Sequence, residues 1–183
     1  VVPEAVLARG FGLREDGVAS MHDATEGGVL GGLLEVAIAS DNGIRVEVFG
    51  DPSLPGPVSM DHVHLYPAEA DIPAMKAWYA KVFGGLPGTR QRVARPGIID
   101  CAYFHRFNLS FSAGSGKLAP TKGRAIDHLG FDVRNLEEFE KRLAAQGLKF
   151  DAPPRQVANA RTKVAFLTDP WGTYIEVTEK LAP

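Results

Sequence analysis

The sequence predicts an α+β fold assembled from two similar βαβββ modules, and three observations predict it. The phrase Met60-Asp61-His62-Val63-His64-Leu65 reappears as Ile126-Asp127-His128-Leu129-Gly130-Phe131. Each copy is an alternating apolar run that reads as a strand, and a helical pattern follows it, Asp71 to Val82 in the first and Asn135 to Ala145 in the second. A third phrase, Asp169-Pro170-Trp171-Gly172-Thr173-Tyr174-Ile175-Glu176-Val177, closes the second copy. The expected architecture is a curled mixed sheet around a central cleft, with a small α/β appendage at the N-terminus.

Three segments separate on local grounds. Residues 1–49 form the appendage. Residues 50–57, with three prolines and two glycines, sustain neither a helix nor a central strand and read as a linker. Residues 58–183 form the main domain, with modules at 58–116 and 125–183. In the first module Asp71 is the expected N-cap and Pro73 lies in the first helical turn, where its missing N–H costs nothing. Ile72, Met75, Trp78, Tyr79, Val82 and Phe83 then fall at three- and four-residue spacing, a buried stripe, and Gly84-Gly85 ends the helix. Ile98 to Phe104 and Phe107 to Phe111 read as a hairpin. The second module repeats the order: strand Ala125 to Val133, a helix burying Leu136, Phe139 and Leu143, Gly147 as stop, then strands near Gln156, at Lys163 to Leu167 and at Thr173 to Glu179.

The 183 residues, 45% of them hydrophobic, suffice for a sizeable core. With a net charge of -2 and scattered Lys and Arg, no basic face for nucleic acid is expected. No apolar run is long enough for a membrane span. The single cysteine, Cys101, forms no intrachain disulfide and reads as a buried structural thiol. A cytoplasmic homodimer is the expectation.

A strand alternates its side chains, so His62 and His64 point one way while Val63 and Leu65 point the other. His128 shares a face with Gly130 and Asp132, and Glu176 with Tyr174 and Thr178. If the sheets curl around a common cleft, His62, His128 and Glu176 can converge on it. Two imidazoles and one carboxylate leave coordination positions open for water or substrate, as Lewis-acid or oxygen chemistry needs.

At these residues the chain resembles the vicinal oxygen chelate superfamily, which includes glyoxalase I, methylmalonyl-CoA epimerase, extradiol dioxygenases, fosfomycin-resistance thiol transferases and metal-free bleomycin-binding proteins. The resemblance covers about residues 60 to 180. It implies that His62, His128 and Glu176 hold a divalent metal ion such as iron, manganese, zinc or nickel. His62 matches the Asp-His frame of Asp127-His128, whereas His64 matches the family spacing to the Trp78-Tyr79 helix better; His62 is preferred and His64 then lines the cavity. Ser110 stands where relatives place a fourth ligand, and a hydroxyl is a poor one, so a three-ligand site is expected. His64, Ser110 and Tyr174 are the candidate substrate-contacting residues, and no catalytic residue is assigned. Val157 to Val164 lacks the acid-base His of extradiol enzymes, which argues against ring cleavage. Arg155, Arg161 and Lys163 read as solvated surface charge, and His105 as an exposed turn residue.

The implied function is a metalloenzyme of glyoxalase or dioxygenase type. The rival is a metal-free binding protein in which Tyr66, Tyr103, Trp171 and Tyr174 stack on an aromatic ligand. The N-terminal stretch Ser20-Met21-His22-Asp23-Ala24-Thr25-Glu26-Gly27-Gly28 resembles the C-terminal domain of aminoimidazole-ribonucleotide-synthase-related proteins over about 45 residues, too few for that family's activity.

Overall fold

The computed structural model describes residues 47, 50, 52–57, 59–92, 96–105, 107–114, 119–124 and 126–181. The chain divides into two compact units, Val1–Ser59 and Met60–Pro183. In the first, residues 52–57 run through turns and bends without helix or strand. The expected helix-strand appendage lies outside the described residues apart from Glu47.

The second unit repeats one plan twice. Its first half contains β1 (His62–Leu65), a 3-10 turn (Glu69–Asp71), α1 (Ile72–Phe83), β2 (Leu86–Gln91), β3 (Ile98–Tyr103) and β4 (Asn108–Phe111). Its second half contains β5 (Leu129–Asp132), α2 (Leu136–Ala144), β6 (Arg155–Gln156), β7 (Thr162–Thr168) and β8 (Tyr174–Lys180). Two four-stranded sheets result, in the order β1-β4-β3-β2 and β5-β8-β7-β6. In each, the first strand pairs parallel to the last and the other neighbours run antiparallel. This is the α+β two-module architecture that the repeated phrases predict.

Register separates the faces of the first sheet. His62 lies opposite Asn108, His64 opposite Ser110, and Ser110 opposite Cys101. Val63, Leu65, Leu109 and Phe111 take the other face, where Met75, Tyr79 and Val82 of α1 cover them in the core. The second module does the same with Phe131, Val177, Ala165 and Leu167 beneath Leu136, Phe139 and Leu143. The modules share that core: Phe83 stacks on Phe131 with ring centroids 4.2 Å apart, and Phe104 meets the same ring edge-on at 5.3 Å.

Two local expectations are corrected, and one strand forms where none was assigned. Leu86–Gln91, with Pro87 and Gly88, carries little strand signal, yet it forms β2. As the edge strand it tolerates a proline, whose missing N–H would break a central ladder. Asp71 stands at the N-cap, but its backbone is already helical and its side chain makes no capping bond, because the 3-10 turn before it feeds straight into α1. The strand expected from Ala125 begins at Leu129, which leaves His128 just ahead of it. Asn135 does cap α2, its side chain accepting from the Glu138 N–H at 2.9 Å.

Candidate metal centre

The repeated Asp-His dipeptide produces the same geometry twice. His62 Nδ1 lies 2.7 Å from the Asp61 carboxylate, and His128 Nδ1 lies 2.8 Å from that of Asp127. Holding Nδ1–H on a carboxylate fixes the ring and turns Nε2 into the acceptor, the arrangement that metal-binding imidazoles use. His128 Nε2 lies 3.3 Å from Glu176 Oε2. The parallel pairing of β5 with β8 sets Gly130 opposite Glu176 and so brings that carboxylate beside His128.

Asp127 is itself anchored. The Gly123 N–H donates to its second oxygen, and Thr121 Oγ1 donates to its carbonyl at 2.8 Å while accepting from the Tyr174 N–H at 2.8 Å. The Gly123 N–H first, and the His128 ring second, hold the Asp127 carboxyl below the usual carboxylate range. It therefore remains an acceptor for His128 through mildly acidic conditions.

Aromatic rings surround the second-module pair. Phe166 and Tyr174 stack at 4.9 Å, the His128 ring stands edge-on to both, and Lys122 Nζ lies 4.3 Å from the Tyr174 ring centroid. The Asp169-Pro170-Trp171-Gly172 phrase builds the turn that starts β8. Asp169 Oδ1 accepts from the N–H groups of Trp171 (2.9 Å) and Thr173 (2.7 Å), and Gly172 adopts φ 93°, a conformation that only glycine takes without strain.

In the first module, His62 and His64 present ring nitrogens within 4.8 Å of one another. The His62 side chain is only 7% exposed, against 40% for His128. His64 Nε2 lies 2.9 Å from Ser112 Oγ, and its ring stacks on Tyr66 at 4.6 Å. Ser110, the counterpart of Glu176 by interval from the aligned His, is fully buried. Its hydroxyl donates to Asn108 Oδ1 at 2.8 Å and accepts from Arg90 Nε at 3.0 Å. The structure thus brings His128, Glu176 and Tyr174 together at one sheet and His62, His64 and Ser110 at the other. Among the described residues, the ligand atoms of His62, His128 and Glu176 do not all fall within 4.8 Å of one another.

Residues outside the expected set take part as well. Asp61 and Asp127 orient the imidazoles, and their signal was the repeated dipeptide itself. Arg90 on β2 and Arg92 just past its end reach Ser110 and Ser112, at 3.0 and 3.3 Å, and were hidden with that strand. The donor set, neutral imidazole plus carboxylate with the second ring nitrogens engaged, fits a divalent ion.

Comparison with known proteins agrees with this architecture. The Glyoxalase/Bleomycin resistance protein/Dioxygenase superfamily matches residues 59–177, and the AIR synthase related protein, C-terminal domain, matches residues 4–65. A protein from the mobile metagenome of V. pseudocholerae shares 21% identity over 70% of this chain and 99% of its own, with a TM-score of 0.51. A glyoxylase/bleomycin resistance protein/dioxygenase domain from Frankia sp. EAN1pec shares 21% over 70% of this chain and 99% of its own, with a TM-score of 0.50. These likenesses are of fold. No curated protein matches the chain.

Proposed function

Because the chain belongs to the Glyoxalase/Bleomycin resistance protein/Dioxygenase superfamily, we propose that its second unit is a small-molecule metalloenzyme of glyoxalase or dioxygenase type. His62, His128 and Glu176 would hold a divalent ion (iron, manganese, zinc or nickel). When bound, such an ion supplies Lewis-acid stabilisation of charge developing on neighbouring substrate oxygens.

The observation that carries this reading is the pair of carboxylate-held imidazoles, with His128 Nε2 facing Glu176 at 3.3 Å. His62 is assigned to the same ion as the repeat counterpart of His128, its Nδ1 fixed by Asp61 in the same way. His64 lacks an adjoining Asp, and its Nε2 is turned to Ser112, so it lines the cavity. Tyr174 offers an aromatic wall beside His128 for the substrate, and the buried Ser110 supports the first-module face.

Elemental analysis of protein purified without a metal-affinity tag tests the reading. The expected result is about one ion per chain, lost in His62→Ala, His128→Ala and Glu176→Gln. Full metal content and activity in Glu176→Gln would overturn it.

One observation favours a metal-free binding protein instead. With both ring nitrogens protonated, His128 would bridge the Asp127 and Glu176 carboxylates without an ion, beside the stacked Phe166 and Tyr174. Absence of any stoichiometric ion, with retained binding of an aromatic ligand, would select that alternative.

A further inference from the structure

We infer that Arg90 and Arg92 form an anion subsite that receives the carboxylate or phosphate-like oxyanion of a small substrate. The inference rests on the reading of the His62–His64 face as part of the substrate cleft, and it names the class of substrate.

The placement follows from register. Gly88 lies opposite Cys101, Cys101 opposite Ser110, and Ser110 opposite His64. Side chains two apart on a strand share a face, so Arg90 belongs to the face that carries both imidazoles, and Arg92, one residue past the end of β2, reaches the same face through Ser112. Arg90 Nε donates to Ser110 Oγ at 3.0 Å, and Arg92 Nη2 donates to Ser112 Oγ at 3.3 Å. Ser112 Oγ lies 2.9 Å from His64 Nε2. From Ser110 the bonds continue to Asn108 Oδ1 at 2.8 Å, and Asn108 Nδ2 donates to the Asp61 carbonyl at 3.3 Å. A directed chain therefore runs from Arg90 to the residue that orients His62.

Charge accounting then points to a ligand. Among the described residues the other half-buried cations, Lys76 and Lys163, each pair with a carboxylate, Asp100 and Glu137 respectively, while the remaining Lys and Arg side chains are exposed to water. Arg90 and Arg92 are half-buried, and among the described residues neither has a carboxylate within 4.0 Å. A serine oxygen satisfies one N–H of a guanidinium's five but cancels none of its charge. Partly desolvated cations on one face are costly without a counter-anion. Each fork, anchored by one serine bond, retains N–H donors suited to bidentate contact with an oxyanion.

NMR titration with inorganic phosphate and, separately, malonate, each against chloride at matched ionic strength, tests the inference and distinguishes the two oxyanion sources. The expected result is saturable shifts at the Arg90 and Arg92 Nε–H signals with at least one anion. Arg90→Gln combined with Arg92→Gln should weaken that binding at least about tenfold. Arg92→Gln alone, which leaves the Arg90–Ser110 bond in place, should weaken it severalfold and serves if the double variant does not fold. Arg155→Gln should bind as the parent does. Shifts no larger than with chloride, or unchanged affinity in Arg92→Gln, would overturn the subsite. Metal content measured on the same samples separates the two readings: anion binding lost with metal retained marks the arginines, whereas metal absent from the parent with anion binding intact defeats the metalloenzyme alone.

Discussion

The Tyr79 hydroxyl donates to the Asp169 carboxylate at 2.9 Å, joining the helix of the first module to the turn that opens the last strand of the second. Asp169 is 4% exposed and takes two backbone N–H bonds on its other oxygen. One buried carboxylate thus shapes the Asp-Pro-Trp-Gly turn and fastens it to the neighbouring module. The position of Glu176, two residues into β8, depends on that turn.

Removing the hydroxyl in Tyr79→Phe leaves one Asp169 oxygen short of a donor inside the core. The expected destabilisation is about 1–3 kcal/mol in equilibrium denaturant unfolding. No loss of stability would show that the turn holds without its tether.

Burial first, and the Asp169 charge second, raise the Tyr79 hydroxyl well above its ordinary pKa. In the unfolded chain the phenol ionises near pH 10, while the folded chain keeps its proton. The contribution of this group is therefore complete below about pH 10 and is lost as pH rises through the folded value. Stability of the parent should fall more steeply above about pH 10 than that of Tyr79→Phe, as read from thermal midpoints across an alkaline series. Parallel curves would contradict the assignment.

Phe131 is packed by Phe83, Phe104 and Phe107 from the other module. Phe131→Ala should cost about 3–5 kcal/mol in guanidinium unfolding, since three rings cannot all close on the space left. Phe131→Leu, which keeps most of the volume, should cost markedly less.

Gly114 donates its N–H to the Pro67 carbonyl at 2.7 Å, and a Cβ there would collide with the Tyr66 carbonyl oxygen. Backbone must move to admit it. Gly114→Ala should lower stability by about 1–3 kcal/mol and shift the NMR signals of His64, whose ring stacks on Tyr66.

What the sequence made visible is what repeats or alternates. His62 and His128 stand in matching apolar runs, and the stripes of both helices have one period and one buried face, so modules and candidate ligands could be read directly. Two kinds of feature could not. β2 announces itself neither by alternation nor by β-branched residues, since an edge strand needs few ladder bonds, and Arg90 and Arg92 disappeared with it. Asp61 and Asp127 stand in the repeated dipeptide, but the bond of Asp169 to Tyr79 spans a separation in the chain that no local pattern encodes. The approach of His128 to Glu176 is likewise a matter of parallel register, which spacing alone leaves open.

The stacked Phe83 and Phe131 make the two halves mutually dependent. Either half alone would leave one such ring facing water, so a cut in the chain between them would make their union depend on concentration. The halves are nonetheless unequal: one presents a carboxylate at Glu176, while the other has Ser110 at the matching position, where it steadies an arginine.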